Sequence, residues 1–457
     1  MNTAPGKLHT LTATQALALI KNDSVSVEQY AEALLSRIEE RDATVRAWTY
    51  LDKQLVLTQA RELDKVPSAQ RGPLHGLAVG IKDIINTKDM PTQFGSPLYQ
   101  GNQPKFDASL VSVLRSAGAL IMGKTTTTEF TVLNSGPNTT NPHDVNRTPG
   151  GSSAGSAAAV ADFQVPLSIG TQNGGSVIRP ASYTGVFAIK PTLNAISPEG
   201  VKVVAFSIDT CGIFARSLDD LQLLADVFRF PEEGLPKLPV LQEAKVAFVK
   251  TPLWPLAGRG TVEAMSKAAE ILKRHGVEVE EVELPTELSD ADVLRRTQKV
   301  VLHTEARSAF LPDYLLDVDG TKVDPRIRGY IDNVSDFTIS ETRAAVDRYA
   351  SFRSAFDDFA AKYSAIITPS AQDIAPLGLG DMGDSSLNFL WSGLHVPVVH
   401  IPAFTGEHGL PVGLSIVAGR FHDQYLVKIS KILGEPLMAE GGWIEAGGQT
   451  AAGAARL

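Results

Sequence analysis

This sequence of 457 residues has a single cysteine, no long basic run and no apolar stretch near the ~18 residues of a membrane span. Each absence excludes something. Cys211, in IDTCGIF, cannot close an intrachain disulfide, so no oxidising compartment is required. With no histidine beside it in sequence, it reads as a packed thiol. The formal charge of −9, from 42 basic and 51 acidic residues, gives a long-range field that repels nucleic acid and anionic membrane. The first thirty residues lack a basic stretch followed by an apolar one, and a cytoplasmic location is expected. The nine histidines show no metal-ligand spacing, so neither a metal nor another cofactor is expected. No internal repeat is visible.

Hydrophobic residues make up 43% of the chain and charged residues 20%, the balance of a soluble globular protein with a sizeable core. A small, largely uncharged partner is expected. Ser26 and Gln29 form a capping-box pattern, after which Val27, Tyr30, Leu34 and Ile38 recur at helical spacing. With a shorter helix over Thr14 to Lys21, this predicts an amphipathic hairpin at about residues 12–42. From GPLHGLAVGIKDII onward, short β-branched runs (GALIMG, FQVPLSIGT, GVFAIKPT, later AKVAFVK, SAIITPS and VPVVHIPA) alternate with helices. Such alternation implies a sheet that is parallel at least in part and covered on both faces. Residues from about 260 to 363 read as mostly helical. They would make a second domain, except that the strands at about 364–435 look like a return to the first sheet. The segment 441–457, small and polar, reads as a flexible tail.

Three chemistries compete for the glycine- and serine-rich stretches. GGSSAGSAAAVA at 151–162 fits G-x-S-x-G with Ser153 at its centre, but a nucleophile elbow needs a buried strand just before it. Here NPHDVNRTPG precedes it. Gly118, Gly123, Lys124 and Thr125 satisfy the Walker phosphate-loop spacing, yet the spacer ALIM is itself a strand, where that motif needs a loop. The third candidate is GTQNGGSVIRPA. Two glycines before Ser176, at a strand end turning into a short helix, leave backbone N–H groups uncrowded, as an oxyanion hole requires. Ser176 could then attack a carbonyl held by the N–H groups of Asn173, Gly174, Gly175 and Ser176 itself. A serine still needs a base. In LAVGIKDII, strand alternation puts Lys82 on one face with Ala78 and Gly80, where a long amine is costly unless paired or neutral. The bland alternative is a strand-end lysine reaching to water beside Asp83.

A lysine on a small-residue strand, a serine-rich glycine loop and then GTxxGGS together resemble the amidase signature family. The resemblance runs through GPLHGLAVGIKD, LRSAGALIMGKTTTTEF, NPHDVNRTPGGSSAGSAAAVA and GTQNGGSVIRPASYTGVFAIKPT to the C-terminal GLPVGLSIVAGRFHD. It implies a single α/β/α domain with a large mixed sheet over residues 1–440, its catalytic core at about 70–220. It also implies a Ser-Ser-Lys triad: Ser176 as nucleophile, Ser152 as a bridging serine in a cis peptide linkage, Lys82 as base. The implied substrate is a small amide, with aryl amides, esters or carbamates within reach. The alternative is the amidase subunit of a tRNA-dependent amidotransferase, which releases ammonia from glutamine beside a partner subunit. The oligomeric state stays open, a homodimer included.

The usual GTDTGGS reads GTQNGGS here, so Gln172 and Asn173 replace an acid and a threonine, and a carboxylate near the site is lost. Arg179 lies three residues after the nucleophile, where many members carry arginine at two. In some branches such an arginine holds a substrate carboxylate; its other reading is a tie between helix and sheet. Phe130 and Thr131 are implied pocket residues by their place in the pattern, and Trp391, His395 and His400 are weaker candidates that read as core. Burial on the small-residue face is expected to lower the pKa of Lys82, and Asp83 would oppose this if its carboxylate turned inward.

Overall fold

The capping box written at Ser26 is formed: Ser26 Oγ accepts from the Gln29 N–H at 3.0 Å, while the Gln29 side chain accepts from the Ser26 N–H. It opens the helix Val27–Val45, whose Val27, Tyr30, Leu34 and Ile38 are all buried. Thr12 and Gln15 repeat the device for the helix Ala13–Lys21, completing the expected hairpin. Asp220 docks it to the body by accepting from the N–H groups of Ala13 and Thr14 at 3.1 and 2.8 Å. The computed structural model describes residues 5–443 apart from positions 134, 135 and 233.

In chain order the strands are β1 (Trp48–Tyr50), β2 (Ala78–Lys82), β3 (Leu120–Thr125), β4 (Leu167–Gln172), β5 (Phe187–Lys190) and β6 (Thr210–Ala215). Then follow β7 (Lys245–Val249), β8 (Glu278–Val282), β9 (Ala365–Pro369), β10 (Val398–Thr405) and β11 (Pro411–Val417). All eleven join one sheet in the order β1-β3-β2-β4-β6-β5-β10-β11-β9-β7-β8. The sheet is mixed: β2 is parallel to β3 and β4, and β7 to β8 and β9, while the other neighbours are antiparallel. Strands β2 to β6 are buried along their whole length, which is why they read as near-continuous apolar runs and not as alternating ones. Cys211, on β6, is packed in this layer, and burial pushes its thiol up to about 12. Among the described residues no helix is long and apolar enough to cross a membrane.

The late strands rejoin the first sheet, with β10 pairing to β5 through Val398↔Lys190. Two boundaries move. The helical stretch from Arg259 to Ala360 is interrupted by β8 at the sheet edge, and the returning segment ends its last strand at Val417, continuing as the helix Asp423–Gly441. Of the segment expected to be a flexible tail, residues 441–443 are packed on the body. The Trp443 N–H donates to the Ala403 carbonyl at 3.1 Å and its ring lies against Gly185, which holds a positive φ and has no room for a Cβ. Residues after 443 lie outside the described residues.

Candidate active site

Strands β2 and β4 run parallel and in register at Ile81↔Ile169, so their C-terminal ends emerge together, the end of an α/β sheet where ligands bind. Lys82 is the last residue of β2, and GTQNGGS leads out of β4. The helix Ala154–Ala161 packs beneath that edge with every residue buried. Its composition of alanine, glycine, serine and one valine allows a close approach: a Cβ on Gly155 would lie 2.1 Å from the Ala47 carbonyl oxygen and 2.4 Å from the Thr126 nitrogen. This places Ser152, just before the helix, against the lysine. Lys82 Nζ donates to Ser152 Oγ at 2.8 Å and to Thr171 Oγ1 at 3.0 Å. The Gly151–Ser152 peptide is cis.

Lys82 is fully buried, and desolvation of the ammonium lowers its pKa to about 7. Two groups oppose that shift, first the Asp209 carboxylate and then Cys211. Asp83 is not one of them. It turns away to Lys124, at 3.3 Å, and accepts from the Gln93 N–H. Burial raises the Asp83 carboxyl to about 6 and lowers Lys124 to about 8, each against the pull of the other's charge. The Walker-like lysine is thus a buried strand residue, held also by Thr92 Oγ1 at 2.5 Å and the Pro91 carbonyl. Nor is the site short of a carboxylate: Asp209, half-buried, its carboxyl raised to about 6 by desolvation, supplies one from the segment before β6.

Gln172 shows what replaced the usual acid. Its Oε1 accepts from the N–H groups of Val177 and Ile178 at 2.9 and 3.1 Å, and its Nε2 donates to Ser392 Oγ at 3.3 Å. A neutral amide therefore caps the turn into the helix Ile178–Thr184. Ser176 sits in that turn, 7% exposed, and among the described residues its hydroxyl has no hydrogen-bond partner.

The remaining expectations divide. Ser153 Oγ donates to the Thr171 carbonyl and accepts from the Thr171 N–H, so it is consumed in bracing β4 and has no preceding strand. Arg179 is buried and donates from Nη2 to the Gly151 carbonyl at 2.6 Å, which ties it to the loop that carries Ser152. Phe130 is fully buried, its ring 5.5 Å from that of Phe310 and 6.0 Å from that of Tyr99. Thr131 beside it has a positive φ, and neither residue hydrogen-bonds to a triad position. Trp391 packs on Phe356, His400 Nδ1 meets Ser370 Oγ at 2.7 Å, and His395 Nε2 meets the Ser207 carbonyl at 2.6 Å. Burial pushes both histidines down to about 3, so they stay neutral. Thr171 and Asp209 escaped the sequence reading. Thr171 was legible in principle, as the residue before Gln172 on a fully buried strand; Asp209 had no local cue, because it arrives from the segment that leads into a different strand. A cleft of about 560 Å³, bordered by Asp83, Gln93, Thr127, Glu129 and Asp324, includes none of the triad positions. Among the described residues no group of three or more His, Cys, Asp or Glu could hold a metal ion.

Comparison with known proteins bears on the same residues. The model of the Amidase family matches residues 29–427. A glutamyl-tRNA(Gln) amidotransferase subunit from Symbiobacterium thermophilum is 30% identical over 471 aligned residues, covering 92% of this chain and 95% of that one. The corresponding subunit from Acidothermus cellulolyticus is 42% identical over 220 residues, which span 47% of this chain and 44% of the relative's length. A crystal structure described as an amidase superposes with a TM-score of 0.82 at 27% identity, over 94% of this chain and all of that one.

Proposed function

The chain belongs to the Amidase family and is an amide-hydrolysing enzyme, and we propose that it works through an acyl-enzyme on Ser176. In this reading neutral Lys82 takes a proton from Ser152, which takes one from Ser176 as that oxygen attacks the amide carbon. The N–H groups of Asn173 to Ser176 receive the oxyanion, the relay hands a proton to the departing nitrogen, and water then releases the acyl group. The observation that carries this reading is the buried Lys82 amine, its pKa lowered to about 7, held 2.8 Å from Ser152. An amine that is half neutral near pH 7 can act as a base there. The Ser176 hydroxyl, unpartnered at rest, joins the relay by rotating toward Ser152 once a carbonyl is in place.

On substrate, the departures in GTQNGGS support a stand-alone amidase of small amides, with esters and carbamates in reach. The curated relatives support the second reading more than the first, since those compared carry the amidotransferase name. Under it the acyl donor is glutamine, and a partner protein receives the ammonia. Chromogenic anilides, esters and carbamates, assayed beside ammonia release from glutamine with and without a candidate partner, separate the two. Mass mapping after fluorophosphonate labelling tests the nucleophile: modification at Ser176, lost in Ser176→Ala, is expected. Labelling at Ser153 would overturn the assignment.

A further inference from the structure

The loop from Asn173 to Ser176 is held by its carbonyls. Gln298, on the helix Ala291–Ala309, donates from Nε2 to the Asn173 carbonyl at 3.4 Å. Ser392, on the helix Ser386–Gly393, donates from Oγ to the Gly174 carbonyl at 3.4 Å. The Arg179 N–H donates to the Gly175 carbonyl at 2.9 Å. The cis linkage at Gly151–Ser152 is the only one among the described residues, so these three peptides are trans. In a trans peptide the C=O and the following N–H point in opposite directions across a rigid plane. Fixing the carbonyls of 173, 174 and 175 therefore fixes, peptide by peptide, the directions of the N–H groups of Gly174, Gly175 and Ser176.

We propose that Gln298 and Ser392 are positioning residues that aim the oxyanion donors through the carbonyls of Asn173 and Gly174. The inference rests on the reading of Ser176 as nucleophile. Both residues are themselves oriented. A carbonyl oxygen can only accept, so the amide of Gln298 must turn its nitrogen to Asn173, which leaves Oε1 to accept from the Tyr349 hydroxyl at 2.5 Å. Tyr349, on the helix Ile339–Ala360, is fully buried. Ser392 is equally buried and accepts from Gln172 Nε2, so its own proton is free for Gly174. The glycines cannot hold the loop themselves, having no side chain, and they cannot be replaced cheaply: a Cβ on Gly175 would come within 3.1 Å of Ser385 Cβ and 3.2 Å of Asn388 Cβ. Two helices from the late part of the chain thus supply a rigidity that glycine lacks.

The test uses the full-length protein and a fluorophosphonate probe, whose phosphoryl oxygen develops charge in the same donors without any need to know the substrate. Gln298→Glu keeps shape but turns an acceptor toward the Asn173 carbonyl; Ser392→Ala and Tyr349→Phe remove one hydroxyl each. The expected result is a labelling rate at Ser176 reduced about tenfold in Gln298→Glu and Ser392→Ala and less in Tyr349→Phe. That is smaller than the 10²- to 10³-fold cost of losing a whole donor. With 4-nitrophenyl acetate the loss should appear in kcat with KM within about twofold, and the pH midpoint should not move, because Lys82 is untouched. A general loss of structure would not spare KM and the midpoint. Unchanged labelling in both Gln298→Glu and Ser392→Ala, or a loss confined to KM, would overturn the proposal. If wild type were labelled elsewhere than Ser176, the nucleophile assignment would fall first and this inference with it. Labelling at Ser176 with both variants at wild-type rate would sink the inference alone.

Discussion

The Lys82 amine lies between two hydroxyls, Ser152 Oγ at 2.8 Å and Thr171 Oγ1 at 3.0 Å, and among the described residues no carboxylate is in direct contact with it. An ammonium there would have neutral partners only, so burial dominates its titration and the free amine is favoured from about pH 7 upward. Amide turnover should rise with pH through about 7 with the loss of one proton. Lys82→Ala should remove that rise and lower kcat for amides about 10²- to 10⁴-fold. Esters should suffer less, because an alkoxide leaves without the proton a departing amine needs. A pH–rate profile of the variant on matched amide and ester substrates checks both; an unchanged amide profile would refute the role of Lys82.

Asp209 is the leading charge that holds the lysine's pKa up. Asp209→Asn removes that charge while keeping an acceptor for the Val204 N–H, which now bonds to the carboxylate at 2.7 Å. The midpoint of the rising limb should therefore move to lower pH. A shift upward would mean that another group controls the lysine.

Arg179 is expected to serve the loop and not the substrate. Arg179→Ala should reduce turnover of acidic and neutral amides by similar factors and lower Tm, since a buried charged hydrogen bond to the Gly151 carbonyl is worth ~1.5–3 kcal/mol. A rise in KM confined to acidic amides would show a carboxylate-binding role instead.

Gln172 accepts from two N–H groups at the start of the helix Ile178–Thr184. Gln172→Ala should cost about 1 kcal/mol of stability, the usual cost of a lost helix cap. Gln172→Glu retains the acceptors and should recover most of it. Chemical denaturation of the three proteins measures the difference, and equal midpoints would show that the cap carries nothing.

What could be read in advance followed from local rules. The capping box at Ser26, the small-residue face beside Lys82 and the glycines before Ser176 are written within a few neighbouring residues, and each is found in place. Asp209 was hidden because its approach to Lys82 is made by the antiparallel pairing of β6 with β4, which no local pattern records. Asp83 misled for the mirror reason: next to Lys82 in sequence, it turns to Lys124 on the neighbouring strand. The short β8 was missed because EVEEV, at the sheet edge, is mostly glutamate, unlike the apolar runs of the centre. The late helix was missed because a mixed apolar run there fits either element by composition alone.

The pairing of β5 with β10 joins residues 208 positions apart (398 − 190). During synthesis, then, every group of the candidate triad leaves the ribosome long before the sheet that frames it can close. For that interval β5 is a bare edge with unpaired backbone donors and acceptors, open to pairing with another nascent chain. Refolding from denaturant should be slow and its yield should fall with protein concentration, as loop closure over such a distance precedes the contacts that reward it.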